Sequence, residues 1–355
     1  MRAPTKWLVS PAFDLGWFVL PGLLALVLAL ALGLTTPARD EAGLGLWIAG
    51  VLLIDVAHVW ATLWRTWLDR QARRLHADLL RWTPALVFLI GFMAHAIEPR
   101  LFWGLLAYVA VFHFIKQQVG FVALYLRAAR ESRRDATLAK LAIWAGTALP
   151  VVYWHAHLPR RFAWFMPDDF VAGLPELIGT LAVWAQLPIL LGFFARRAWL
   201  HARGEGHPMV AILVAITAAS WNAGIVWFDD DRVFTLTNVV LHGVPYMALV
   251  WIAGGREAVA RPLAERGRSS VVLVLAVFYL ALLALAFGEE AVWDRLIWHD
   301  HPALFGEGRL ELDAFATTLV VALLSVPQAT HYLLDRWIWK VGPRNPELAR
   351  QLRLE

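Results

Sequence analysis

Ten long apolar runs punctuate the chain, at 15–34, 44–64, 79–97, 101–126, 138–154, 177–194, 209–228, 233–253, 270–287 and 315–339, with short polar or charged stretches between them. Most are about 17–25 residues, which at about 1.5 Å per residue covers a hydrocarbon core of about 30 Å. The pattern predicts an all-α fold, a polytopic integral membrane bundle of about ten transmembrane helices. With no low-complexity segment and no long linker, it reads as a single transmembrane domain over 1–355. No small-residue cleavage site follows the first run, so it is expected to be a retained helix. Pro327 inside the last run predicts a kink. The segments 162–171 and 289–299 carry Trp164, Phe165, Trp293 and Trp298, which suit a headgroup region, and are expected as short interfacial helices.

Lys and Arg alternate with the runs. The stretches holding Arg2 and Lys6, Arg65 to Arg74, Arg127 to Lys140, Arg196 to Arg203, Arg256 to Arg268 and the C-terminal tail are basic. The intervening loops hold only Arg39, Arg100, Arg160, Arg161, Arg232, Arg295 and Arg309. The bias keeps one phase at every crossing, so the basic side, with both termini, is placed in the cytoplasm. Composition agrees. Hydrophobic residues make up 59% and charged residues 17% of the chain, against about 45–50% and about 25% in soluble domains. The basic pI of about 9.6 is thereby explained by the loops, not by nucleic-acid binding. The absence of cysteine excludes disulfides, thiolate metal sites and cysteine nucleophiles. Arg- and Ala-rich usage suits a bacterial inner membrane.

Ionisable residues at membrane depth are costly and mark function by default. Four runs carry them in one pattern: Asp55 with His58, His113 with Lys116 and Gln117, Asn238 with His242, and His331 with Asp335. In each, an imidazole lies three or four residues from a carboxylate or amide, which puts both on one helix face. All four runs are even-numbered and cross in the same direction. His58, His113 and His242 lie roughly 15–21 Å in from the outer end, His331 deeper. Imidazole is the commonest metal ligand, and a neighbouring carboxylate or amide fixes its tautomer. The expected ligands are therefore His58, His113, His242 and His331. Asp55 and Asp335 are candidate ligands or bases, and Gln117 and Asn238 would orient imidazoles. Tyr246, one turn from His242, would line the same cavity. Lys116, read as a buried ammonium, would balance charge, donate a proton or hold a substrate head.

A single histidine in a membrane helix more often ties two helices together by a hydrogen bond. Four, each with its own oxygen partner, point to a shared transition metal, iron favoured over zinc in an N/O ligand set. The corresponding activity is a metal-dependent membrane enzyme, an oxidoreductase or oxygenase acting on a lipid or other hydrophobic small molecule, whereas zinc in the same site would suit a hydrolase. A proton-coupled transporter using Asp55, Lys116 and Asp335 is the first alternative. A haem carrier with His58 and His113, or His242 and His331, as axial pairs is the second. Outside the runs, His155, His157, His299 and His301 form two short pairs that are expected to do nothing. His76, His201 and His207 in basic loops are expected to be solvated. The His boxes of membrane fatty-acid desaturases and alkane hydroxylases, and the His-Glu-x-x-His of zinc proteases, are absent.

Overall fold

The structure, a computed structural model, describes residues 7–268, 270–308, 310–342 and 345–354. Arg2, Lys6 and Arg309 of the charge pattern lie outside them. Among the described residues ten helices are long and apolar enough to cross a membrane: α1 Pro11–Thr35, α2 Leu44–Arg65, α3 Ala77–Ile97, α4 Pro99–Ala128, α5 Arg133–Ala156, α6 Glu176–Ala202, α7 Pro208–Trp227, α8 Asp231–Ala264, α9 Val271–Trp298 and α10 Ala314–Ile338. No strand occurs among the described residues. The chain is thus an all-helical, multi-pass membrane protein. The helices overrun the apolar runs by a few residues where polar ends continue the turn. Ser132 caps α5 by accepting from the Asp135 amide at 3.1 Å, and Asp313 caps α10 through the Ala316 amide at 2.7 Å.

Several helices depart from regular geometry, among them α7 and α9, which end in π-type turns over Asn222–Trp227 and Asp294–Trp298. α2 is wound with wider, π-type turns over Trp47–Val56 and returns to α-helix at Ala57–Arg65. α8 breaks at Gly254, whose φ of +109° is open only to glycine, and resumes as Arg256–Ala264. α10 is interrupted at Ser325, two residues before Pro327, as expected where a ring displaces a carbonyl of the preceding turn.

The chain divides into two compact units. The first holds α1, α4 from Val111, α5, α6, α7 and α8 to Pro245. Here α5 packs on α6 and α7. A Cβ at Gly146 of α5 would stand 2.7 Å from the Ala218 Cβ and 3.1 Å from its Cα on α7, so the crossing requires glycine. Gln186 of α6 and Asn222 of α7 exchange two amide hydrogen bonds, both 2.9 Å and buried. Gln186→Leu is expected to cost about 1–2 kcal/mol, because the Asn222 amide loses its partner. The double change to leucine should cost less than the two single changes added, as read in detergent unfolding. Additive losses would show that the pair is not coupled.

At one end of this unit Glu131 accepts two bonds from the Arg197 guanidinium, at 2.5 and 3.0 Å, and one from the His207 amide at 2.8 Å. His207 is fully buried by this arrangement, and its ring accepts from the Met209 amide at the start of α7. It is a capping residue and not the solvated histidine expected.

At the other end, residues 162–171 form irregular chain and not a helix. Asp169 accepts from the Phe165 and Met166 amides at 2.7 and 3.2 Å, which closes a turn, while Phe162 stacks on Phe234 at 4.6 Å. Asp230 binds Arg232, which also donates to Thr36 Oγ1 and the Pro37 carbonyl at 2.9 and 2.8 Å. Burial alone would raise the Asp230 carboxyl, but the Arg232 guanidinium and amide hold it below its ordinary value. A depressed carboxylate stabilises above its unfolded value of about 3.9 and loses that contribution as pH falls through the folded value. Acidification below about pH 4 is therefore expected to speed hydrogen exchange at the Asp231 amide, which is bonded to Arg39 O at 2.9 Å. Exchange with no acid dependence beyond the intrinsic rate would contradict the clamp.

The second unit holds α2, α3, α4 to Ala110, α8 from Tyr246, α9 and α10. α2 packs on α9 and α10, and α3 on α10. His95 of α3 bonds Thr318 of α10 at 2.9 Å, a structural tie. Residues 289–299, expected as a separate interfacial helix, instead continue α9 to Trp298. α3 exposes Trp82, Leu86, Ile90, Met93 and Ile97, a helical stripe suited to lipid.

Candidate metal centre

α4 and α8 bring His113 and His242 together. Both rings are buried, at 4% and 1% exposure. His242 lies flat on Phe114, with centroids 3.6 Å apart and planes within 3°, which fixes its plane. The two Nε2 atoms face each other at 3.3 Å. That is long for a hydrogen bond between nitrogens. It fits two imidazoles on one ion, since bonds of about 2.1 Å at angles of about 90–110° separate the nitrogens by about 3.0–3.4 Å.

α2 and α10 bring His58 and His331 together, edge to face with centroids 5.0 Å apart. Both are 1% exposed. The His331 ring is held by a directional chain. Tyr246 O–H donates to Asp335 Oδ1 at 2.8 Å, and Trp339 Nε1 donates to the same oxygen at 3.2 Å. With its proton so committed, Tyr246 accepts from the Thr62 hydroxyl at 3.0 Å. Thr62 Oγ1 then accepts from His331 Nδ1 at 2.7 Å. The chain places the His331 proton on Nδ1, which makes Nε2 the acceptor nitrogen, the tautomer a metal ligand requires. Asp335 Oδ1 is 3.7 Å from His331 Nδ1 and acts through the two hydroxyls. Asp55 Oδ1 lies 3.5 Å from His58 Nδ1, too far for a hydrogen bond but close enough to favour a proton on that nitrogen.

The four histidines form one group. One ring nitrogen from each of His58, His113, His242 and His331 lies within 4.8 Å of the others, and all four residues are buried. Among the described residues no other set of three or more His, Asp or Glu meets this condition, and Asp55 and Asp335 are not in the group. A buried four-histidine cluster in an all-helical membrane protein is compatible with a transition-metal site.

Comparison with known proteins finds no matching family model, no matching curated protein and no matching solved structure. The geometry alone carries the functional argument.

The remaining candidates are placed as follows. Tyr246 is fully buried and sits in the chain above. Gln117, one turn from His113, is buried with neither amide atom hydrogen-bonded. Asn238 donates from Nδ2 to the Phe234 carbonyl at 3.0 Å, and its Oδ1 has no hydrogen-bond partner. Lys116 is exposed, which corrects the expectation of a buried ammonium. It lies about 100° round the helix from Gln117, so His113 and Gln117 turn inward while Lys116 turns out. Thr62 is the residue that sequence reasoning missed, although it lies one turn beyond His58 on the same face. His155 and His157 bond back to Val151 O and Tyr153 O of their own helix, at 2.7 and 2.8 Å. His301 packs against Trp47, with centroids 4.0 Å apart and planes tilted by 47°.

Proposed function

We propose that the protein is a metal-dependent integral-membrane oxidoreductase that acts on a hydrophobic substrate, with His58, His113, His242 and His331 as ligands to iron. The observation that carries this reading is the convergence of four buried imidazole nitrogens within 4.8 Å. One ion bound at about 2.1 Å spans at most about 4.2 Å between opposite ligands, so the rings close by a few tenths of an ångström on binding. Four imidazoles fill a tetrahedral zinc site and leave no place for a reactant. The same four leave two positions open on an octahedral iron, which is the arrangement oxygen-dependent chemistry needs.

A haem has its four equatorial positions filled by porphyrin and takes only two axial imidazoles, so four mutually close imidazoles favour a bare ion. A transport path through Lys116 is disfavoured by the exposure of that side chain. Asp335, Tyr246 and Thr62 would hold His331 in its metal-binding tautomer, and Asp55 would do the same for His58. The loop charges further support a cytoplasmic location for both termini, and the Arg- and Ala-rich usage suits a bacterial inner membrane.

Oxygen uptake by iron-loaded protein in nanodiscs, on addition of extracted membrane lipids, tests the reading. Uptake that is absent from the zinc-loaded protein is expected. Bound iron without uptake for any hydrophobic extract would reduce the centre to a structural one.

A further inference from the structure

The plane of a ligand histidine matters as much as its place. The lone pair that binds a metal lies in the ring plane, and the outer torsion of a histidine is broad and soft. A ligand ring therefore needs a contact that fixes its plane. For His331 the hydroxyl of Thr62 supplies one. For His242 it is a stack. Phe114 lies parallel to the imidazole, with centroids 3.6 Å apart and planes within 3°. Rotation about the His242 Cβ–Cγ bond would sweep the imidazole into the phenyl face. Phe114 comes from α4 and His242 from α8, and both side chains are buried.

Phe114 needs a support of its own, since a phenyl ring also turns about a soft outer torsion. That support comes from the segment between α5 and α6. Trp164 meets Phe114 edge to face, with centroids 4.9 Å apart and planes at 81°, an arrangement that aromatic quadrupoles favour. Trp164 also packs on Phe234 of α8, at 5.7 Å and 77°. The segment is anchored on both sides of the tryptophan. Asp169 closes the turn that follows it by accepting from the Phe165 amide. Before it, the Arg161 amide donates to Asp229 at 2.7 Å and the Arg160 guanidinium to the Phe228 carbonyl at 2.9 Å. Trp164, Phe114 and His242 thus form a row within the first unit, from a half-buried loop residue to a buried ligand candidate.

We propose that Phe114 and Trp164 are positioning residues of the metal centre: Trp164 holds the Phe114 ring, and Phe114 holds the His242 imidazole in the plane that aims Nε2 at the ion. The role towards metal rests on the metalloenzyme reading, whereas the hold on the ring does not. The segment 162–171 thereby belongs to the site, although it supplies no ligand. Its other aromatics do not share the task. Phe162 stacks on Phe234, at 4.6 Å and 17°, and not on Phe114. It packs the segment without gripping the ligand.

The test is nuclear magnetic resonance of the full-length, metal-free protein in nanodiscs with isotope-labelled histidine, the His242 signals being assigned by their loss in His242→Ala. Protons over an aromatic face shift upfield, so the His242 ring protons are expected upfield of an unstacked imidazole. Phe114→Leu should remove the shift, Trp164→Leu should reduce it, and Trp164→Phe should largely restore it. Phe162→Leu, which loosens the segment alone, should leave it in place. Ferrous iron affinity, read by chelator competition, should follow the same order. A fall of about tenfold or more is expected for Phe114→Leu, about threefold to tenfold for Trp164→Leu, and little for the other two. Because Trp164 acts through Phe114, the double change to leucine should cost no more than Phe114→Leu alone. A shift that survives Phe114→Leu in a folded protein, or equal effects of Trp164→Leu and Phe162→Leu, or iron affinity unchanged in Phe114→Leu, would overturn the proposal. Ring shifts as expected in a protein that binds no iron would instead overturn the metalloenzyme reading and leave the hold on His242 standing.

Discussion

His242→Ala is expected to lower metal affinity at least about 100-fold, since loss of a group that merely orients a ligand already costs about 10–100-fold. The change removes the imidazole whose Nε2 faces that of His113 at 3.3 Å and leaves Phe114 without its stacking partner. Alanine offers no donor, and the buried surroundings admit no easy substitute. The same direction is expected for His58→Ala, His113→Ala and His331→Ala. His95→Ala is the control, because its imidazole bonds Thr318 and lies outside the four-histidine group. Metal retained after dialysis against a graded chelator reads the effect. Occupancy equal to that of the unmodified protein in all four variants would remove the basis of the functional reading.

The second large effect is expected at Thr62, which binds no metal in this account. Thr62→Val keeps the shape of the side chain and removes the one oxygen that joins His331 Nδ1 to Tyr246. The imidazole is then free to adopt either tautomer and to tilt, and the Tyr246 oxygen loses a donor. Metal affinity should fall about 10–100-fold, the usual cost of losing an orienting partner. Thr62→Ser, which restores the hydroxyl, should return it to within a few-fold. A purely structural role would lower the unfolding temperature in both variants without separating their metal affinities. Affinity unchanged in Thr62→Val would show that His331 is held by other contacts.

These two residues also mark how far the sequence could be read. The ten helices were legible because crossing a bilayer demands long apolar runs, and the observed bounds differ from those runs mainly where polar ends prolong the helix. The irregular 162–171 segment was not legible, because its aromatics pack on Phe234 around the Asp169 turn instead of forming an amphipathic face. The histidines stood out because each is an expensive group one turn from an oxygen or amide. Thr62 did not stand out, since threonine in a membrane helix can satisfy itself locally and only the fold shows it reaching His331. Lys116 misled for the opposite reason. Its place inside an apolar run suggested burial, but a rotation of about 100° per residue put it on the exposed side of the helix that turns His113 and Gln117 inward.

Elemental analysis with an absorption spectrum tests the central claim most directly. It should be made on full-length protein purified in mild detergent without metal-affinity chromatography. About one iron per chain is expected, bound by four imidazoles, with no Soret band. Protein that holds no metal, both as isolated and after anaerobic reconstitution with ferrous iron, would contradict it.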